Sequence, residues 1–365
     1  MEYLPSDVVV DILSRIPVES VLDCKLVSKR LLNLLSDRRD QFAKMHHQRQ
    51  LLQLTSTGDA LSSSTGLLFS FEKYEEDERI GVRLYYGNKY NDEMNIHEKF
   101  SYKTLQKTTV SCTAMRQSNV IVGSYNGLIC LVRYHHGMPD PIHICNPITG
   151  EYVNLPEYTL TEEEHFAAFG FGYVHLANSD QYKVVRIYYP DSENYDKGEV
   201  QVYTIGIGSG WRAIGTTSYL LWLENCVGNY VNGSLHWIVD KKIVAFNLAD
   251  EEFGLIQSPP CYDSSHDCST CFDMVLELRG NLCLCHQNNK ERLLDIWALK
   301  KNAAEASWSR DFSIAYNSGW EGEGGSEFQA MPILITKKNE VLFVHQGSTL
   351  YCYDPKNKYG DKTLG

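Results

Sequence analysis

The chain of 365 residues has no apolar run near the ~18 residues that a membrane-spanning helix needs, so no membrane span is expected. Its first residues, MEYLPSDVVVDIL, carry charges where a secretory signal has its apolar stretch, and export is therefore not expected. Eleven cysteines without such a signal indicate reduced thiols, and a cytoplasmic or nuclear location, rather than a disulfide framework. The strings GxxxxGK, HExxH and GxSxG are also missing, which removes common signatures of phosphate-binding loops, metallopeptidases and hydrolases.

Basic charge is scarce beyond the first fifty residues. Residues 1–50 carry a net charge of +1, whereas residues 51–365 carry −13. An acidic body repels nucleic-acid phosphates, so a nucleic-acid partner is not expected. The same charge favours a protein partner with a basic patch. Hydrophobic residues at 43% and charged residues at 22% fit a globular chain of about two domains.

Three short amphipathic helices are predicted within residues 1–50. Ser6 or Asp7 is placed to cap the first helix, Pro17 to open the second and Ser28 to cap the third. A bundle of this size has little interior. We therefore expect some of its apolar residues to face a partner.

From about residue 66 the spacing changes to short runs of Val, Ile, Tyr, Phe and Trp, broken by Gly, Asn, Asp and Pro. The polar residues 51–65 are interpreted as a linker. A turn followed by an apolar strand recurs at separations of 53, 53, 47 and 59 residues, starting at Gly127, Asp180, Gly233, Gly280 and Asn339. A repeat near fifty residues with about four strands is typical of a kelch-type propeller blade. With one more blade in residues 66–110, about six blades are predicted; a two-sheet sandwich is the alternative.

Two families resemble the two parts of the chain. Residues 1–40 resemble an F-box. The resemblance is carried by Leu4-Pro5, VDILSRIPV (10–18), Ser20-Val21 and KLVSK (25–29). Residues 66–365 resemble the F-box-associated interaction domain of many plant proteins, on SYNGLIC (124–130), NPITG (146–150), FGFGY (169–173), YKVV (182–185), VNGSLHW (231–237) and IVAFNL (243–248). The family commonly has Trp shortly after Val-Ser-Lys, where this chain has Leu31, a smaller apolar residue.

The resemblance implies an α+β multidomain protein: a three-helix F-box (1–50), a linker (51–65) and an all-β, kelch-like propeller (66–365). It also implies a non-catalytic adaptor subunit without a cofactor, bridging a Skp-type adaptor on a cullin–RING ubiquitin ligase to a protein substrate. The residues assigned to the Skp-type adaptor are Leu4, Pro5, Ile12, Leu13, Ile16, Pro17, Leu22 and Val27. Three alternatives stay open: all eight form the core of the bundle, the chain is a propeller enzyme with a helical arm, or it is a scaffold outside the ligase.

The segment YNSGWEGEGGSE (316–327) is Gly-rich, acidic and contains an isolated tryptophan. This composition suits an exposed recognition loop on the propeller, although a disordered connector has the same composition. We assign the substrate site to Trp320 as an anchor, with Glu321, Glu323 and Glu327 facing a basic substrate.

One group of residues has the composition of a zinc site: Cys261, His266, Cys268, Cys271, Cys283, Cys285 and His286. Only Cys268 and Cys271 have CxxC spacing. Cys283 and Cys285 alternate with leucines in an apolar strand, where a free thiol behaves as a small hydrophobic side chain. No metal site is therefore predicted.

Overall fold

A computed structural model describes residues 4–16, 18–37, 41–46, 48–49, 67–75, 78–87, 106–107, 119–135, 138–139, 142–147, 149–157, 166–176, 179–190, 197–208, 210–222, 226–262, 271–301, 306–316, 330–336, 338–345, 349–356 and 359–364. The chain divides into two compact units, residues 1–67 with 89–91 and residues 68–88 with 92–365. Within the described ranges, no helix is both long and apolar enough to cross a bilayer.

The first unit is helical, and the three predicted helices are confirmed as α1 (Ser6–Leu13), α2 (Val18–Val27) and α3 (Lys29–Asp37). Residues 41–46 add a further helical segment. The N-cap of α1 is Pro5 rather than Ser6 or Asp7, and its carbonyl oxygen accepts hydrogen bonds from the backbone N–H groups of Val8 and Val9. The interior is formed by Val9, Val10, Leu13, Val21, Leu31, Leu35 and Phe42. Leu31 thus fills the apolar position that the family resemblance gave it.

Hydrogen bonds tie the last described residues of this unit back to α1. The Arg49 guanidinium donates to the Asp11 carbonyl oxygen at 2.8 Å, and also to the Asp11 carboxylate and the Ser14 hydroxyl. The bond from Arg49 to the carboxylate, with a weaker contribution from Arg15, holds the pKa of Asp11 below its usual value. His46 Nε2 lies 2.9 Å from the Ile16 carbonyl oxygen. The helical unit is therefore fixed by polar contacts as well as by its small core.

The second unit consists mainly of strands, with a short 3₁₀ helix at Pro260–Tyr262. In chain order, the first twelve are β1 (Leu67–Glu75), β2 (Glu78–Gly87), β3 (Gln106–Lys107), β4 (Asn119–Tyr125), β5 (Leu128–His135), β6 (Met138–Pro139), β7 (His143–Cys145), β8 (Tyr152–Asn154), β9 (Phe166–Leu176), β10 (Ser179–Tyr189), β11 (Gly198–Thr204) and β12 (Arg212–Thr217). The others are β13 (Val227–Val231), β14 (Ser234–Val239), β15 (Lys242–Asn247), β16 (Glu252–Ile256), β17 (Cys271–Leu278), β18 (Asn281–Asn288), β19 (Leu293–Lys301), β20 (Ala306–Ala315), β21 (Ala330–Ile335), β22 (Val341–His345), β23 (Thr349–Asp354) and β24 (Tyr359–Leu364).

These strands form six antiparallel meanders among the described residues, which we call blades 1 to 6: β1–β3, β4–β8, β9–β12, β13–β16, β17–β20 and β21–β24. Blades 3 and 4 share one eight-stranded sheet, because β9 and β13 pair in parallel over two residue pairs. In the described parts of the chain, the strands make five separate sheets rather than the two of a sandwich. The predicted fold class, a helical module followed by a propeller-like β domain, is confirmed.

Each apolar cluster of the β unit lies between two successive blades. Alternate residues of a strand face opposite sides of its sheet, so one strand serves two clusters. On β18, Leu282 and Leu284 pack with blade 4, whereas Cys283 and Cys285 pack with blade 6. Face-to-face packing of successive sheets is the packing of a propeller.

The repeated turn predicted from the sequence is the hairpin between the first two strands of a blade. Asn126 and Gly127 have φ of 49° and 78°, and Arg279 and Gly280 have 52° and 74°. Two central residues with positive φ match the twist of the strands that they join. The turns also contact one another: Arg279 Nη1 donates to Asn339 Oδ1 at 3.0 Å, which links blades 5 and 6.

A buried histidine of blade 4 makes the stability of the β unit sensitive to pH. His236 is 5% exposed, and its burial lowers its pKa to about 4. The unfolded chain, with a histidine pKa of about 6.5, takes up a proton first as the pH falls, so the native state loses stability below about pH 6.5. Between about pH 7.5 and pH 5, we expect wild type to lose about 2 kcal/mol more than His236→Gln in urea unfolding. Equal losses would show that His236 titrates normally in the fold.

Candidate functional site

The helical unit leaves one face of α1 apolar and accessible. Leu4, Val8 and Ile12 follow at four-residue spacing and are 38%, 42% and 41% exposed. Val8 and Ile12, four residues apart within α1, lie on the same side of the helix, and Leu4 is in the segment that precedes it. Val9 and Leu13 lie on an adjoining side of the helix and are 2% and 1% exposed. The sequence of α1 thus has two apolar faces, of which only one is used by the core.

Apolar side chains with larger exposed fractions lie where α2 ends and α3 begins. Leu26 is 86% exposed and Val27 77%, and Leu32 on α3 is 42% exposed. Single exposed apolar residues are common on protein surfaces, but six in a unit this small are the expected mark of a docking surface. We call Leu4, Val8, Ile12, Leu26, Val27 and Leu32 the exposed apolar set.

The structure separates the residues that the sequence assigned to the Skp-type adaptor. Leu4, Pro5, Ile12 and Val27 are exposed, Ile16 and Leu22 are half-buried, and Pro17 lies outside the described residues. Leu13 is in the core, because it lies on the face of α1 that packs against the other helices. Leu13 is therefore not available on the surface for a partner, contrary to its assignment from the sequence.

Val8, Leu26 and Leu32 were missed by the sequence reasoning. A signal for two of them was present, since Val8 lies midway between Leu4 and Ile12, and Leu26 follows Leu22 by four residues. No comparable signal marked Leu32.

The residues assigned to substrate, Trp320, Glu321, Glu323 and Glu327, lie outside the described residues. The described ends on either side, Tyr316 and Ala330, are both held by blade 5. The Tyr316 hydroxyl donates to Asn289 Oδ1 at 2.6 Å, and the Ala330 N–H donates to Gln287 Oε1 at 3.0 Å. Gln287 is fully buried and donates in turn to Asn289. The chain therefore departs and returns beside the turn between β18 and β19.

The cysteines and histidines considered as zinc ligands are divided between the two faces of blade 5. Cys283 and Cys285 are 2% and 1% exposed and face blade 6, and burial raises the pKa of Cys283 to about 12. His286 lies on the opposite face, while His266 and Cys268 fall outside the described residues. Among the described side chains, no group of three His, Cys, Asp or Glu could hold a metal ion.

One thiol differs from the expectation that all are reduced. Cys271 is disulfide-bonded, whereas the other described cysteines are reduced thiols: Cys24, Cys130, Cys145, Cys226, Cys261, Cys283, Cys285 and Cys352. Cys271 is thereby removed from the thiolates that a zinc site would need.

A cavity of about 480 Å³ lies between the first strands of blades 2 to 6. Tyr125 and Tyr230 pack edge to face within it, at 4.5 Å between ring centroids, and burial raises the pKa of Tyr125 far above its usual value. Glu277 is the one charged side chain among the described lining residues, which include no histidine.

Comparison with known proteins gives consistent results for both units. A family model described as an F-box domain matches residues 1–41, and one described as an F-box associated beta propeller domain matches residues 81–363. F-box protein At3g07870 of Arabidopsis thaliana is 26% identical, over 98% of this chain and 86% of the relative. F-box protein CPR1 of the same plant is 25% identical, over 98% and 83%. Its F-box/kelch-repeat protein At3g23880 is 25% identical, over 85% and 79%.

Proposed function

Because the chain belongs to the F-box proteins with an F-box-associated β-propeller domain, we propose that it is the substrate-recognition subunit of an SCF-type cullin–RING ubiquitin ligase. Its helical unit binds a Skp-type adaptor, and its β unit binds the protein to be ubiquitinated. The chain contributes no catalytic residue and no cofactor. The ubiquitin transfer is carried out by the other subunits of the ligase.

The exposed apolar set is the observation that carries this proposal. Leu26 and Val27 present most of their side-chain surface to water, at 86% and 77% exposure. Burying a side chain of this kind is worth about 1.5–3 kcal/mol. In the free chain these two side chains contribute little to the stability of the helical unit. A complex in which a partner covers them is stabilised by the free energy of burying them.

The substrate side of the proposal rests on charge and on the anchored ends at Tyr316 and Ala330. Residues 51–365 carry a net charge of −13, which favours a substrate with a basic patch and binding that weakens as salt is added. We assign the contact to Trp320 with Glu321, Glu323 and Glu327. The proposed location is the cytoplasm or the nucleus, with neither a nucleic-acid nor a membrane partner.

The test is affinity capture of the full chain from native plant tissue with the proteasome blocked. Wild type is expected to bring down a Skp-type adaptor, a cullin and a set of ubiquitinated proteins. A variant with Trp320→Ala and with Glu321, Glu323 and Glu327 each changed to Gln is expected to keep the adaptor and cullin but lose the ubiquitinated proteins.

Two outcomes would contradict the proposal. Capture without an adaptor or cullin would remove the ligase role and favour an independent scaffold. Capture of the same ubiquitinated proteins by the loop variant would show that the substrate is held elsewhere on the chain.

A further inference from the structure

Blades 4 and 5 are in close contact over one part of their interface, which is the closed part. Over the other part, the open part, they are separated by a cavity. The closed part is apolar and includes Ile238 and Ile243 of blade 4 with Val275 and Leu284 of blade 5. The open part is a cavity of about 640 Å³, which we call the side cavity. Its size is within the range of pockets that take a small ligand or a single large side chain.

A row of polar side chains crosses blade 5 at this open end. Asp273 of β17 is the register partner of His286 on β18, and His286 is the register partner of Asp295 on β19. All three line the side cavity. His286 Nδ1 lies 2.7 Å from Asp273 Oδ1, so this carboxylate is already engaged by the imidazole.

Asp295 is left with an unused acceptor. The residue is 9% exposed, and its Oδ1 is buried without a hydrogen-bond donor among the described residues. Its Oδ2 is 3.4 Å from Arg310 Nη1, a long bond. A buried carboxylate oxygen without a hydrogen-bond donor costs free energy. A ligand that donates a hydrogen bond to this oxygen would remove that cost.

Trp297 adds an unused donor on the same face of β19, since it follows Asp295 by two residues. Its indole Nε1 is buried without an acceptor among the described residues. A ligand that fits both groups must donate to a carboxylate and accept from an N–H. A peptide segment with a basic side chain does both.

The remaining lining residues favour a flat cation. Tyr262, Phe272 and Trp297 supply aromatic surface, and Glu291 adds a third carboxylate to Asp273 and Asp295. Lys241 and Arg310 also line the cavity. Arg310 is already engaged, since it lies over the Trp297 ring at 5.7 Å and faces Asp295. A guanidinium is flat, so it stacks on an aromatic ring while the N–H groups at its edge donate to a carboxylate oxygen, which a compact ammonium does not do.

We infer that the side cavity binds an arginine side chain of a protein ligand, with Asp295 as the carboxylate partner and Trp297 Nε1 donating to a peptide carbonyl of the same segment. The identification of this ligand as the ligase substrate rests on the proposed function. The position agrees with it, because Asn288 lines the cavity and its neighbour Asn289 holds the Tyr316 hydroxyl. The side cavity and Tyr316, the last described residue before Trp320, therefore belong to the same edge of blade 5.

The test uses the full chain and three capped tripeptides, acetyl-Gly-Arg-Gly-amide and its citrulline and glutamate counterparts, in isothermal titration calorimetry. Citrulline has the shape of arginine without the charge. The arginine peptide is expected to bind with a saturable heat and at least about tenfold more tightly than the citrulline peptide. Asp295→Asn is expected to weaken its binding by about tenfold or more, and Trp297→Phe by a smaller factor.

Asp311→Asn is the matched control, because Asp311 is on the same blade, pairs with Lys300 and does not line the side cavity. It is expected to leave the affinity unchanged. The inference is overturned if the citrulline or glutamate peptide binds as tightly as the arginine peptide, or if Asp295→Asn and Trp297→Phe both bind like wild type. Capture of the Skp-type adaptor, measured on the same samples, tests the proposed function separately and is expected to be the same in all of them.

Discussion

Replacing Leu26 and Val27 together by Ser is expected to abolish capture of the Skp-type adaptor while the helical unit stays folded. Their exposure, 86% and 77%, means that the free chain loses little packing. Two such side chains buried in a complex are together worth about 3–6 kcal/mol, which corresponds to an affinity loss of about a hundredfold to ten-thousandfold. Co-purification with a recombinant adaptor measures the loss, and far-ultraviolet circular dichroism checks the helices.

The matched control for this prediction is Leu255→Ser. Leu255 is also an exposed leucine, at 55%, but it lies on β16 of the β unit. It is expected to leave adaptor binding unchanged. Ile16 and Leu22 are less suitable test positions because they are half-buried, so their truncation mixes folding with binding. Undiminished adaptor binding by the Leu26 and Val27 variant would place the interface outside the exposed apolar set.

The positions of the helices and blades followed from local signals in the sequence. Pro17 separates two helical patterns, and the recurring turns, such as Asn126-Gly127, mark the first hairpin of a blade. These signals act over a few residues, because a ring-locked φ or a positive φ restricts the backbone wherever it occurs. The alternation of leucine and cysteine at 282–285 indicated an apolar strand in which the thiols act as small hydrophobic side chains, and both thiols are buried in the structure.

Local signals in the sequence could not predict which face of a helix is buried or where a cavity forms. In α1, Val8, Val9, Ile12 and Leu13 are all apolar, and periodicity alone does not say which side the other helices cover. Leu13 was therefore assigned to a partner although it belongs to the core.

The side cavity depends on strand register. Asp273, His286 and Asp295 are 13 and 9 residues apart, and only the pairing of β17, β18 and β19 sets them in one row. No pattern within a single strand contains that information.

The second large effect is expected at Gly228, where blades 3 and 4 join. Gly228 of β13 pairs with Gly170 of β9, and both carry core side chains directly above them. A Cβ added at Gly228 would lie 2.2 Å from Trp237 Cζ2. Trp237 is 1% exposed and packed among residues of both blades, so it has no space into which to move.

We therefore expect Gly228→Ala to destabilise the β unit by about 3 kcal/mol, through overpacking rather than backbone strain. Gly254→Ala is the control, because a Cβ there meets nothing within 4 Å and the substitution is expected to be neutral or slightly stabilising. Urea unfolding monitored by tryptophan fluorescence measures both. Adding Trp237→Phe to Gly228→Ala removes part of the clashing ring. The free energy of unfolding of the double variant is therefore expected to fall by less than the sum of the decreases in the two single variants. Full additivity, or a Gly228→Ala chain as stable as wild type, would show that Trp237 does not restrict this position.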